Sequence, residues 1–260
     1  MIDTHCHLQD CPEPEALLAT SRLDGLVTVG ACAPDWPRAL ALAAGDARVR
    51  VALGLHPTEV NRRGTGDLAD LAGWLDRPGV VAVGETGLDN WWSTEHRAAQ
   101  LDAFERQCAL ARDRDLPVVI HVRDAAGSTA ASEDTLAVLQ ASGLARGVLH
   151  CCNGHRGLVE GALELGFHVS FAGNLTYPNA RALHALLPEI PRDRLVFETD
   201  APFLAPVPHR GQGNVPDHVR HTLEFAAARL GLAPAELEAL TDRNAAALFE
   251  AGWKQRPPQG

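Results

Sequence analysis

His5 and His7 are separated by a single residue in the segment MIDTHCHL that opens the chain. Side chains of a strand alternate between its faces, so Asp3, His5 and His7 point one way and Cys6 the other. Two neutral imidazoles on one strand face can close on a single divalent ion such as Zn, Mn or Fe. An isolated H-x-H pair carries little weight. This pair gains meaning because a polar ligand at the end of an apolar strand recurs along the chain, at His56, Glu85, His121, His150 and Asp200.

The elements that must position these residues are visible as apolar, β-branched segments alternating with helical patterns. Strands are expected at 2–7, 26–30, 49–55, 80–85, 118–121, 147–150, 167–171 and 195–200. Helices are expected at 13–22, 36–44, 68–75, 95–114, 129–141, 155–165, 179–187 and 217–230. In the longest of these, Ala98, Leu101, Phe104, Cys108 and Ala111 recur three or four apart as one apolar stripe. Eight strands alternating with eight helices is the count of an α/β protein with a single (β/α)8 TIM barrel. A doubly wound sheet would want a glycine-rich phosphate loop after the first strand, where this chain has HCHLQD. An extra C-terminal helical segment is expected at 234–249, whose parts 235–239 and 245–249 can also form two short helices. The domain then spans 1–252, and residues 253–260 form a loose tail without a core-forming pattern.

Active sites of such barrels lie at the carboxyl ends of the strands. His5, His7, His56, His121 and His150, five of the chain's 12 histidines, sit at that end together with Glu85 and Asp200. Neither capping nor burial predicts that clustering, whereas a metal centre does. The set divides between two ions. His5 and His7 hold one, faced by Asp200 because strand eight closes on strand one; His121 and His150 hold the other. Glu85 bridges them. Two ions ~3.5–4 Å apart clamp the oxygens of a displacement and hold the attacking water between them. Lys254 is the only lysine and lies in the tail, which excludes a carbamylated lysine as the bridge.

Composition narrows the partners. The chain has 260 residues, 46% hydrophobic and 22% charged, with net charge −10. Proteins that coat duplex DNA are usually basic, so a nucleic-acid substrate here must be held by metal ions and a few local arginines. Six cysteines without C-x-x-C spacing indicate reduced thiols in the cytoplasm. No apolar run approaches a membrane span, and the first strand leaves no room for a targeting peptide. Nothing indicates oligomerisation, so a monomer is expected.

The pieces DTHCHL (3–8), GLHP (54–57), VGETGLD (83–89), PVVIHVRDA (117–125), GVLHC (147–151) and ETDAPFLAPVPHRG (198–211) run in one order along nearly the whole chain. In these it resembles the TatD-type metal-dependent hydrolases, a branch of the amidohydrolase superfamily. The resemblance implies a TIM barrel and divalent-metal-dependent phosphodiester hydrolysis, with DNA the usual substrate and 3′-end exonuclease action common. It also implies His5, His7, Glu85, His121, His150 and Asp200 as metal ligands, the set reached above from strand ends. The chain departs from the family's HCFSG, GLDYYR and RNEP at HCCNG (150–154), GLDNWWS (87–93) and GNVP (213–216). These departures fall in substrate-facing loops.

Further residues sort around this centre. Trp91 and Trp92 follow strand four and can stack a nucleobase, or pack under their loop. Arg123 and Arg210 follow ligand strands and can hold phosphate bidentately, or pair with a carboxylate. His56, Asn153, His155 and His209 are weaker candidates for substrate contact, and His155 also stands where a helix starts. Asp3 and Glu198 lie one layer deeper on the ligand faces, where a charge must be paired, and are expected to orient ligand histidines from behind. Cys6 and Cys151 should alternate outward and pack against helices.

The combined expectation is a deoxyribonuclease with 3′-5′ exonuclease action on DNA ends or single strands. It uses two divalent ions (Mg2+, Mn2+ or Zn2+), with Glu85 bridging and Asp200 accepting the proton. The alternatives are an amide or ester hydrolase of the same superfamily, including removal of misattached amino acids from transfer RNA, and a non-catalytic barrel scaffold.

Overall fold

The alternating apolar segments become eight parallel strands hydrogen-bonded in chain order. They are β1 (Ile2–Cys6), β2 (Gly25–Gly30), β3 (Val49–Leu53), β4 (Val80–Asp89), β5 (Val118–Arg123), β6 (Gly147–Leu149), β7 (His168–Phe171) and β8 (Leu195–Phe197). The structure is a computed structural model and describes residues 1–250. The tail expected at 253–260, Lys254 included, and the last two residues of the expected barrel domain lie outside the described residues. Backbone bonds from the Asp200 N–H to the His5 carbonyl (2.9 Å) and from the His7 N–H to the Ala201 carbonyl (2.7 Å) join β1 to the segment after β8. The result is a (β/α)8 barrel. No helix of the described residues is long and apolar enough to cross a membrane.

Around the strands run α1 (Pro14–Thr20), α2 (Trp36–Gly45), α3 (Pro57–Arg63), α4 (Leu68–Leu75), α5 (Arg97–Asp113), α6 (Ala130–Ser142), α7 (Arg156–Glu164), α8 (Arg181–Leu186), α9 (Val219–Leu230) and α10 (Pro234–Leu248). Trp36, Leu71, Phe104, Phe167 and Phe197 fill the layer between strands and helices, each worth about 1.5–3 kcal/mol of burial. Ile2, Val27, Val29, Ala52, Ala82, Val119, Val148 and Val196 form a separate core with Ala245, Leu248 and Phe249 from the end of α10. The expected C-terminal helical segment is one continuous helix, α10, and not two short ones. The polar residues between the two parts are satisfied: Thr241 donates to the Leu237 carbonyl, Asp242 accepts from the Ile2 N–H, and Asn244 donates to the Arg192 and Leu195 carbonyls.

Differences in strand length set the height of each functional residue. β1, β6 and β8 stop short of the expected ends, leaving His7, His150 and Asp200 on the connecting loops. β4 instead runs four residues past Glu85, pairing Gly87 with His121 and Asp89 with Arg123. Its register against β5 shifts between Val83 and Thr86, an irregularity that brackets Glu85 and can re-aim a side chain. Gly87 makes this pairing possible: its φ is 134°, and a Cβ there would lie on the His121 carbonyl. Gly87→Ala is therefore expected to cost about 2–4 kcal/mol of stability, read by urea unfolding, and to lower activity through its neighbours Glu85 and His121. An unchanged unfolding midpoint would show that this pairing tolerates a side chain.

Candidate metal centre

Glu85 is the hub on which the strand ends converge, and it is buried. Its Oε2 lies 3.4 Å from His5 Nε2 and 3.6 Å from His7 Nε2. Its Oε1 lies 2.7 Å from His121 Nδ1, 3.2 Å from His150 Nε2 and 3.4 Å from His56 Nε2. One carboxylate thus presents each oxygen to a different set of imidazoles. Asp200 joins the Oε2 side, its Oδ1 3.7 Å from His5 Nε2 and 3.6 Å from His7 Nε2. Asp200 has φ 57°, a left-handed conformation that aspartate tolerates better than most residues.

Three groupings here bring ligand atoms close enough for an ion: His5, His7 and Asp200; His56, Glu85 and His121; His5, His150 and Glu198. Imidazole nitrogen with carboxylate oxygen is a donor set for Zn or Mn, and His5 keeps a buried Nδ1 without a hydrogen-bond partner. The residues fit divalent ions.

Hydrogen bonds behind the rings decide which nitrogen is free. His7 Nδ1 faces the Val29 carbonyl at 3.1 Å, so in the neutral ring it carries the proton and leaves Nε2 a lone pair toward Glu85 and Asp200. His150 Nδ1 makes no hydrogen bond but lies 2.7 Å from Glu198 Oε1, an ion-pair contact, while its Nε2 faces Glu85. His121 sits between two carboxylates, with Nε2 3.2 Å from Asp89 Oδ2 and Nδ1 toward Glu85. Asp89, which sequence reasoning missed, therefore orients His121 from behind. His56 is different. Its Nδ1 accepts the Thr58 N–H at 3.1 Å, capping α3, so in the neutral ring the proton is on Nε2. In its neutral form His56 thus offers a donor at the cluster where a neutral His7 offers a lone pair. Asp3 also differs from expectation: it accepts from the Thr199 N–H (2.9 Å) and hydroxyl (2.6 Å), fixing the chain beside Asp200 and not an imidazole ring.

The cluster's charges are strongly coupled. Burial alone would raise the Glu85 carboxyl; the imidazoles of His150, His56 and His5 and the bond to His121 outweigh it and hold the pKa well below the usual range. Burial likewise opposes charge on His150, yet Glu198 and Glu85 push it up to about 10. Asp200 does the same for His7, against burial, raising it to about 9. Burial, with His150 next to it, lowers His5, and burial lowers His56. Protons on His7 and His150 balance the carboxylates, a demand that a divalent cation held here would answer in their place.

Outside the cluster, Trp91 and Trp92 are 46% and 72% exposed, so neither packs under its loop. The Arg123 guanidinium lies over both rings, 4.7 Å from the Trp91 centroid and 5.6 Å from that of Trp92. Arg210 lies 4.4 Å over Tyr177. Asn153 and His155 make local contacts: Asn153 donates to Ser132 Oγ and accepts from the His155 N–H, while His155 Nδ1 caps α7 by accepting from Leu158. His209 stacks on His218 at 4.0 Å and meets His221 Nε2 at 3.2 Å. Cys6 packs in the helix-side core as expected. Cys151 does not: at φ 43° strict alternation fails, its Sγ meets Asn174 Nδ2, and Cys152 takes the core position.

A family model for TatD related DNase matches residues 2–250. The Escherichia coli (strain K12) protein named uncharacterized metal-dependent hydrolase YcfH is 35% identical, with 96% of this chain and 95% of that protein covered. An Edwardsiella piscicida protein named 3′-5′ ssDNA/RNA exonuclease TatD is also 35% identical, over 92% of this chain and 93% of its own. Among solved structures, the TatD homologue YJJV from Escherichia coli K12 superposes with a TM-score of 0.88 at 28% identity, covering 96% of this chain and 98% of that one.

Proposed function

Because the chain belongs to the TatD family of metal-dependent hydrolases, we propose that it cleaves phosphodiesters of single-stranded DNA from the 3′ end, using two divalent ions. His5, His7 and Asp200 would hold one ion and His121 and His150 the other, with Glu85 shared. The observation that carries this reading is the division of the Glu85 oxygens between two sets of imidazoles. No lysine occurs among residues 1–250 to serve as an alternative bridge. The exonuclease named in Edwardsiella piscicida supports the substrate class and polarity.

When bound, two such ions polarise the phosphoryl oxygens and acidify the attacking water. The protein's own groups do the rest. Asp200, partly exposed at the rim of the cluster, takes the proton of the attacking water. The His56 Nε2–H donates to a phosphoryl oxygen beside Glu85. Arg123 and Arg210, neither paired with a carboxylate among the described residues, meet flanking phosphates. Trp91 and Trp92 offer faces on which a base stacks, which requires an unpaired strand.

A metal-by-substrate matrix tests this. Protein stripped with chelator and reloaded with Mg2+, Mn2+ or Zn2+ is expected to shorten a 3′-labelled single-stranded oligomer only when reloaded, and to leave an aminoacyl ester intact. Turnover of the ester without turnover of the oligomer would favour the amide or ester hydrolase.

A further inference from the structure

Among the described residues, the large apolar side chains most exposed to solvent are Trp91, Trp92, Phe203 and Val207. They fall in two loops only, those following β4 and β8, which stand opposite one another in the eight-stranded ring. Each loop has an arginine laid on an aromatic face beside it: Arg123 on Trp91 and Trp92 at one side, Arg210 on Tyr177 at the other. Phe203 is 56% exposed and stands edge-on to His7, with ring centroids 6.0 Å apart. An aromatic face open to water beside a buried charged cluster contributes little to folding and suits a planar ligand.

We propose that Phe203, with Arg210 on Tyr177, forms a second nucleotide-binding station, so that one strand is gripped on both sides of the metal centre. This rests on the nuclease reading above. A base on one side of the cleaved bond stacks on Trp92, and a base on the other side stacks on Phe203. Arg123 and Arg210 meet the phosphates beside them, and the phosphodiester between the two bases lies over Glu85. A paired duplex keeps its base faces covered and cannot fill both stations, so the ligand is a single strand with a nucleoside on each side of the bond.

The test uses the metal-loaded protein and three single-stranded trinucleotides, with the cleaved bond located by product mass. One is intact, one is abasic on one side of that bond, and one is abasic on the other. Base stacking on an aromatic residue corresponds to a preference of about tenfold in kcat/KM for the intact strand over each abasic strand. Phe203→Ala is expected to abolish that preference against one abasic strand only, and Trp92→Ala against the other only. Phe203→Tyr should keep both, which separates stacking from damage to His7. The proposal is overturned if both alanine variants lose the same preference, if Phe203→Ala keeps both, or if the wild type is indifferent to the missing bases. Absence of cleavage of any trinucleotide by wild-type protein would instead overturn the nuclease reading, and this one with it.

Discussion

Glu85→Ala is expected to empty both halves of the metal centre and to reduce turnover by roughly 10³-fold or more, about 4 kcal/mol of barrier lowering. The expectation follows from geometry: the carboxylate is buried, and each of its oxygens faces a different pair of ligand histidines. Removing it leaves several imidazoles facing one another without the anion that holds them together. Metal content per chain and hydrolysis of a single-stranded oligomer read the two effects separately. Glu85→Gln keeps the volume and one neutral oxygen, and should keep more fold stability than alanine while still losing metal. Near-normal hydrolysis with either variant would remove the two-metal scheme.

Asp200→Asn is expected to act on the chemical step. The asparagine keeps the size and one oxygen toward His5 and His7 but cannot take a proton. Turnover should fall by ~10²–10⁴ while metal content and oligonucleotide affinity stay close to wild type. Its backbone position is held independently of the carboxylate, by the bond from its own N–H to His5 and by Asp3 gripping Thr199. A loss of turnover can thus be assigned to the side chain. A variant that turns over normally at neutral pH would reduce Asp200 to a ligand, and one that loses metal as Glu85→Ala does would make it mainly one.

Much of this site was legible in the sequence because barrel geometry turns strand order into spatial order. Once His5, Glu85, His121, His150 and Asp200 fell at the ends of strands one, four, five, six and eight, closing the barrel brought them together. What stayed hidden depends on distances that no periodicity records. Asp89 meets His121 only because β4 continues past Glu85. The donor role of His56 comes from α3, seven residues long and too short to show a helical repeat. Cys151 looked outward by alternation, a rule that ends where φ turns positive. Phe203 carries no signal of exposure in its own segment, since an apolar residue after a strand looks like core until the loop is built.

The bonds joining His5 to Asp200 and His7 to Ala201 give the barrel's seam a temporal meaning. The two sides of the seam are almost 200 residues apart in the chain, so this closure is among the costliest in loop entropy and among the last reached during vectorial synthesis. A nascent chain or a partly folded intermediate has β1 but not its partner, and so cannot assemble the His5–His7–Asp200 site. Hydrolytic competence is thereby deferred until the polypeptide has closed on itself. An ion held across the seam would act as a clasp, adding its binding free energy to the completed fold and to no earlier state.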